Sequence, residues 1–209
     1  MSINRRISYL LLGVAFFLLM MVPLLIILLP KGEAFYHVVV AQKLLKEGNT
    51  DGAMAQVQQA VEIQPDNLIA LRSAANVYMV NGRYDDAEQI INEILKTSSQ
   101  NADLYHDYGL IRMYKDDIEG ARAAAEKALA LSPESSSNYH LLGAIALNEK
   151  DFETAEKHLK KAVELAPDEA GAHFLLGSMY FEQERNAEAI DALSTVTQKE
   201  PEFAPARSL

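Results

Sequence analysis

A recurrence of 34 residues governs the chain from residue 34 onward. Pro65, Pro133, Pro167 and Pro201 fall on one grid of that spacing, with Ser99 in the remaining slot. The grid divides 34–203 into five units: 34–67, 68–101, 102–135, 136–169 and 170–203. The twentieth position of each unit is Ala53, Ala87, Ala121, Ala155 and Ala189. The eighth is Ala41, Ala75, Gly109, Gly143 and Gly177, and the twenty-seventh is Ala60, Ile94, Ala128, Ala162 and Val196. A period of this length marks an array of repeated supersecondary units, none of which can bury its apolar face alone.

Each column has a physical reason. Positions eight and twenty predict the crossing of two antiparallel helices, where only Gly or Ala lets the backbones approach closely. Gly48 and Gly82 fall in the turn between them, where a left-handed conformation is easiest without a Cβ. Asp116, Lys150 and Glu184 hold that slot in the later units, so glycine there is preferred and not essential. The proline closes the second helix, because the residue before it is pushed out of α geometry. Phe152, Ala155, Leu159, Ala162 and Val163 follow helical spacing, as do Tyr84, Ala87, Ile90, Ile91, Ile94 and Leu95. No segment alternates with the two-residue period of a strand, which predicts an all-α chain without sheet.

The unit resembles the tetratricopeptide repeat (TPR), whose small residues at eight and twenty and proline at thirty-two are all present. Tyr139, Leu142-Gly143, Phe152, Ala155, Ala162 and Pro167 carry the likeness best, and it extends over 34–203. Position eleven departs from it: the usual Tyr is present as Tyr78 and Tyr180 but is Leu44, Arg112 and Ala146 elsewhere. Arg112, at a position that is usually buried, is expected to pair with Asp116 one turn on. The resemblance implies a right-handed α-solenoid of about five helix hairpins that binds protein or peptide partners in a concave groove. The first helix of each unit would face inward through positions two, five, nine, twelve and thirteen.

Those positions supply the candidate binding residues. Position five reads Val38, Arg72, His106, His140 and Phe174. Arg72 and Asn76 stand one turn apart and look like half of the carboxylate clamp by which some TPR domains hold a peptide C-terminus. The other half is missing, and Asp103 and Asp107 would repel a carboxylate. Position twelve is apolar throughout, as Leu45, Met79, Met113, Leu147 and Phe181. It either packs between successive first helices or lines the groove as an apolar stripe, where methionine adapts readily to a ligand. Phe35, Val38 and Val39 add an apolar inward side to unit one. At the far end, 204–209 is too short for a capping helix, so Ile190, Leu193 and Val196 are expected to be uncovered, open to a partner or to a second copy.

Upstream of the array, 7–29 carries no charge and reads as a transmembrane helix, its 23 residues spanning about 35 Å. A short basic segment, 1–6, precedes it, and 30–33 is expected as a juxtamembrane linker. Arg5, Arg6 and the α-amino group against Lys31 favour a cytoplasmic N-terminus, with the array outside the cytoplasm. The alternative is a cleaved secretory signal, for which Gly32 and Ala34 supply a small-x-small pattern before Phe35; the apolar run is longer than the usual signal core. One span followed by such repeats resembles bacterial envelope assembly proteins, which implies a single-pass inner-membrane location.

Composition excludes other classes. Of 19 Lys and Arg, two precede 7–29, which leaves 17 against 29 acidic residues, a balance of −12 that does not suit nucleic acid. Cysteine is absent, so thiolate chemistry and Cys-ligated zinc are excluded. The histidines, His37, His106, His140, His158 and His173, form no H-E-x-x-H pattern, and no phosphate loop or nucleophile elbow is present. Asp85-Asp86 and Asp116-Asp117 read as helix-capping acids. No catalytic, cofactor or metal site is expected, and the chain reads as a scaffold.

Overall fold

A computed structural model describes residues 30–199. The expected span over 7–29, the end of unit five and the tail over 204–209 lie outside the described residues. Among the described residues there are ten helices and no strand. They are α1 (Pro30–Lys46), α2 (Thr50–Ile63), α3 (Leu68–Val80), α4 (Tyr84–Thr97), α5 (Ala102–Tyr114), α6 (Ile118–Leu131), α7 (Ser136–Asn148), α8 (Phe152–Leu165), α9 (Ala170–Glu182) and α10 (Asn186–Lys199). No helix among the described residues is long and apolar enough to cross a membrane.

From α2 on, every helix begins and ends on the 34-residue grid. The second helices stop two residues before the proline slot, and α4 does so with Ser99 in that slot. Proline is therefore one stop signal among several. Helix α1 starts one turn ahead of its grid position, so 30–33, expected as a linker, is helical; Pro30 suits a first helical position, where its missing N–H costs nothing.

The interhelical turns repeat one hydrogen-bond pattern. The amide of Asn49 donates to Leu44 O, Arg83 to Tyr78 O, Asp117 to Arg112 O, Asp151 to Ala146 O and Arg185 to Tyr180 O. This closure needs a left-handed residue just before the donor. Gly48, Gly82, Asp116, Lys150 and Glu184 fill that place, with φ between 59° and 75°. Side-chain caps then start the next helix: Asn49 accepts from Gly52 N, Asp117 from Gly120 N and Asp151 from Thr154 N.

The chain forms two compact units, the first ending at Ile94 and the second beginning at Leu95. In the first, Ala41 of α1 meets Ala53 and Val57 of α2 and Ala74 and Val77 of α3, all buried. A second cluster joins Ala34 and Val38 to Ala60 and Ala70. In the second unit, α8 lies between α7 and α9: Ala155 and Leu159 contact Ala146 on one side and Leu176, Met179 and Tyr180 on the other. Within each unit the second helices α2, α6 and α8 thus serve their own hairpin and the next, as stacked repeats require. Leu104, Ile111, Ile145, Leu159 and Met179 are fully buried, each contributing roughly 1.5–3 kcal/mol.

The eighth-position glycines are closed in by the opposite helix. A Cβ on Gly143 would stand 2.6 Å from Leu159 Cγ, and one on Gly177 2.5 Å from Leu193 Cγ. Leu193 and Val196, expected to be uncovered, are instead buried against Ala170 and Phe174, because α10 turns its apolar face into its own hairpin. The uncovered end reduces to Ile190, 69% exposed.

The turn geometry gives a paired prediction. Nothing lies within 4 Å of a Cβ on Gly82, so Gly82→Ala acts through the positive φ alone. It should lower stability by about 1 kcal/mol. Lys150→Gly should raise it by less than about 1 kcal/mol, strain relief exceeding the added entropy of the unfolded chain. Urea denaturation midpoints moving in opposite directions check both.

Candidate inner-face binding site

The first helices position the expected site residues. In the first unit, α3 carries Arg72 and Met79, both half-buried, and Asn76, which is exposed. In the second, α5 carries His106 and Met113, α7 carries His140 and Leu147, and α9 carries Phe174 and Phe181. Arg72, Asn76 and Met79 and the remaining six candidates thus belong to different units.

Within the second unit the imidazoles at position five are brought together. His140 Nδ1 lies 3.3 Å from Glu169 Oε1, and His106 Nδ1 lies 3.6 Å from Asp107 Oδ1. Burial holds the His140 pKa below its ordinary value; the Glu169 charge works against this, and that of His106 adds to it. In its neutral form the His140 imidazole can both donate and accept a hydrogen bond. Room for it comes from Gly171, whose Cβ would stand 3.0 Å from the ring. That glycine, at position two of unit five, escaped the sequence reading because it has no counterpart in the other units.

Position twelve divides along its length. Met113 is half-buried against Ala121, Ala125, Leu141 and Ile145. Leu147 is half-buried against Ala146, Leu159 and Met179. Phe181 is 49% exposed, and Tyr114, at position thirteen of unit three, is 55% exposed. Tyr114 was missed because its column is otherwise Lys46, Val80, Asn148 and Glu182, with no shared character. In unit one Val38 is buried, while Phe35 and Val39 are exposed.

Arg112 does not reach Asp116. Its Nη1 lies 2.5 Å from Asp117 Oδ2, and its Nη2 donates to the Tyr108 hydroxyl. Asp116 is the left-handed turn residue, whereas Asp117 is the cap whose amide already bonds Arg112 O, so the turn itself brings Asp117 to the guanidinium. The Gly120 amide and then Arg112 hold the Asp117 carboxyl below its usual range.

A tighter charge cluster, unseen in the sequence, joins α8 to the turn after α9. Glu156 receives Arg185 Nη1 at 2.7 Å, Lys160 Nζ at 2.6 Å and the Tyr180 hydroxyl at 3.0 Å, and the Arg185 guanidinium stacks over the Tyr180 ring. Nearby, Leu129, Tyr139, Lys157, His158, Lys160, Lys161 and Glu164 line a recess of about 560 Å³. Its lysines 160 and 161 are engaged by Glu156 and Glu164. Among the described residues, no group of three or more His, Asp or Glu could hold a metal ion.

Helix hairpins on a 34-residue grid, crossing at paired small residues and sharing second helices with the next hairpin inside each unit, define a TPR array. Residues 71–200 match the family model described as the Cilia and flagella-associated protein 70 middle TPR-like domain, and the chain belongs to that family. Curated protein sequences give no match. Among solved structures, a thermophilic TPR protein of Thermus thermophilus is similar at 17% identity with a TM-score of 0.77, over 84% of this chain and 95% of the other. Pseudomonas aeruginosa PilF is similar at 20% identity and a TM-score of 0.68, over 85% and 81%. YrrB, described as a TPR protein with an unusual peptide-binding site, is similar at 22% identity and a TM-score of 0.55, over 82% and 89%. At these identities the likeness shows the fold.

Two outcomes follow from the site. Arg185 and then Lys160 pull the Glu156 carboxyl from its ordinary 4.5 down to about 2. A folded value below the unfolded one adds stability in full above pH about 4.5, lost as pH falls toward about 2. Thermal melts should fall across that window in the native chain, and Glu156→Gln should flatten the fall. Met113→Glu with Leu147→Glu should lower the melting temperature, since both side chains contact core residues. Phe181→Glu should leave it within a few degrees.

Proposed function

We propose that the chain is a membrane-anchored, non-catalytic TPR scaffold of bacterial envelope assembly, with its array on the extracytoplasmic side of the inner membrane. It captures a protein or peptide, a membrane or envelope protein, on the inner face of its first helices. In the second unit the residues concerned are His106, Met113, His140, Leu147, Phe174 and Phe181; in the first, Arg72, Asn76 and Met79 hold the corresponding places on α3.

The observation that carries this reading is the exposure of Phe181 and Tyr114 at inner-face positions. Covering an aromatic side chain contributes roughly 1.5–3 kcal/mol, and a partner's apolar side chains would supply the cover. His106 and His140 offer hydrogen bonds to the backbone of an extended segment. The peptide-binding site described for YrrB is consistent with such use of this fold. Anchoring would confine the array to the bilayer surface and raise its effective concentration for other membrane proteins.

The alternative, a periplasmic chaperone-like binder released by signal cleavage, draws on the small residues Gly32 and Ala34. Ala34 is buried beside Val38, Ala60 and Ala70, so a cut after it would remove a core residue and the first turn of α1. This favours the uncleaved anchor over the released binder; the other alternative, a non-catalytic accessory subunit of a membrane enzyme complex, is separated by whether an enzyme co-purifies in mild detergent.

Alkaline carbonate washing and intact mass test the anchor. The expected result is a full-length chain kept in the membrane pellet. Release into the supernatant, or a mature N-terminus at Phe35, would overturn it. For the inner face, Phe181→Glu should reduce partner recovery in mild detergent at least about tenfold, the equivalent of one lost aromatic anchor. Unchanged recovery would contradict the assigned face.

A further inference from the structure

We infer that the end of the first unit formed by the starts of α1 and α3 lies in the headgroup layer of the bilayer, held there by Phe35, Tyr36, Val39 and Ile69. This rests on the proposed anchor and adds to it an orientation and a second, peripheral membrane contact.

All four side chains are roughly half exposed. Phe35 and Ile69 share position two of successive units, and the starts of their helices are in contact through Ala34, Val38 and Ala70. On α1 the residues 35, 36 and 39 share the solvent side, opposite the buried Ala34, Val38 and Ala41. Further along the same side stand Gln42, Lys43 and Lys46, all exposed, with Lys43 Nζ 3.7 Å from Glu47 Oε1 just beyond the helix. The solvent face therefore changes from apolar to cationic over about 12 Å, moving away from the apolar run that ends at Leu29. Aromatic residues followed by lysines is the order in which a membrane surface takes them: rings at the headgroup level, ammonium groups against lipid phosphates. Glu33 is roughly a third of a turn round the helix from the Phe35–Val39 line, at the helix N-terminus, where a carboxylate is favoured.

The length of chain sets the tilt. Helix α1 begins at Pro30, one residue after Leu29. Phe35 and Val39 then stand about 9 and 15 Å along a helix leaving the hydrocarbon boundary. The headgroup layer on one side is about 5–7 Å deep, so both reach it only if α1 is inclined toward the membrane plane. An inclined helix buries an apolar face by about 5–10 Å, the depth that phenylalanine and valine side chains fill.

The absence of native tryptophan makes the test direct. Single variants Phe35→Trp, Tyr36→Trp, Val39→Trp, Ile69→Trp, Phe17→Trp and Gln58→Trp would be made in the full chain. Each would be reconstituted in phosphatidylcholine–phosphatidylglycerol vesicles with lipids brominated either near the headgroup or deep in the acyl chain. Tryptophans at 35, 36, 39 and 69 should be blue-shifted and quenched more by the shallow bromine. The one at 17 should be quenched more by the deep bromine, and the exposed one on α2 at 58 by neither. Quenching at 17 but not at 35, 36, 39 and 69 would overturn this orientation and leave the anchor standing. Blue-shifted emission there without bromolipid quenching would mean that protein covers the patch, and would overturn it too. No quenching at 17 would remove the anchor and this inference together.

Discussion

The close approach of two helix backbones at positions eight and twenty is the constraint on which the structure depends. At Gly143 and Gly177 the space a Cβ would take belongs to Leu159 and Leu193, which lie directly against the facing helix. With larger residues at those crossings, the leucines would be levered outward. The second helix would then lose its hold on its own hairpin and on the next first helix together. Burial of Leu159, Met179 and Tyr180 in one cluster follows from that approach.

Polar groups around the crossings fix where helices stop and which neighbour each unit accepts. Left-handed residues at five equivalent turns release the chain into the second helix on the same residue each time. Between neighbouring units of the second half, charge adds direction. Arg122 on α6 contacts Glu149 at the turn after α7, while Glu156, in the same register on α8, contacts Arg185 at the turn after α9. The sign is reversed from one junction to the next, so exchanging the units would set like charges face to face. Stability there depends on order as well as on repetition.

The fold was legible in the sequence because helix crossings, turns and stops recur, and each recurrence constrains the same few positions. Boundaries of nine helices follow from the grid; α1 starts a turn early because Pro30 supports a start that no other unit needs. The inner face was legible in register and not in detail. Whether an inner-face side chain is covered depends on its immediate neighbours, which is why Met113 and Leu147 touch core residues while Phe181, in the same column, stands open. Counting repeats leaves Leu193 and Val196 uncovered, whereas Ala170 and Phe174 of their own hairpin pack against them. Asp117, and not Asp116, meets Arg112 because a turn of the chain, and not helical spacing, sets that distance. Singular features such as Gly171 beneath His140, or Tyr114, leave no periodic trace.

The proposed function lies on one face of the first helices, and site-specific photocrosslinking in intact membranes tests it most directly. With a photoreactive residue in place of Phe181 or Tyr114, a discrete adduct with one membrane or envelope protein is expected. The same residue in place of the exposed Glu153 or Lys157 on α8 should give none. Equal labelling from both sets, or adducts from α8 alone, would contradict the account.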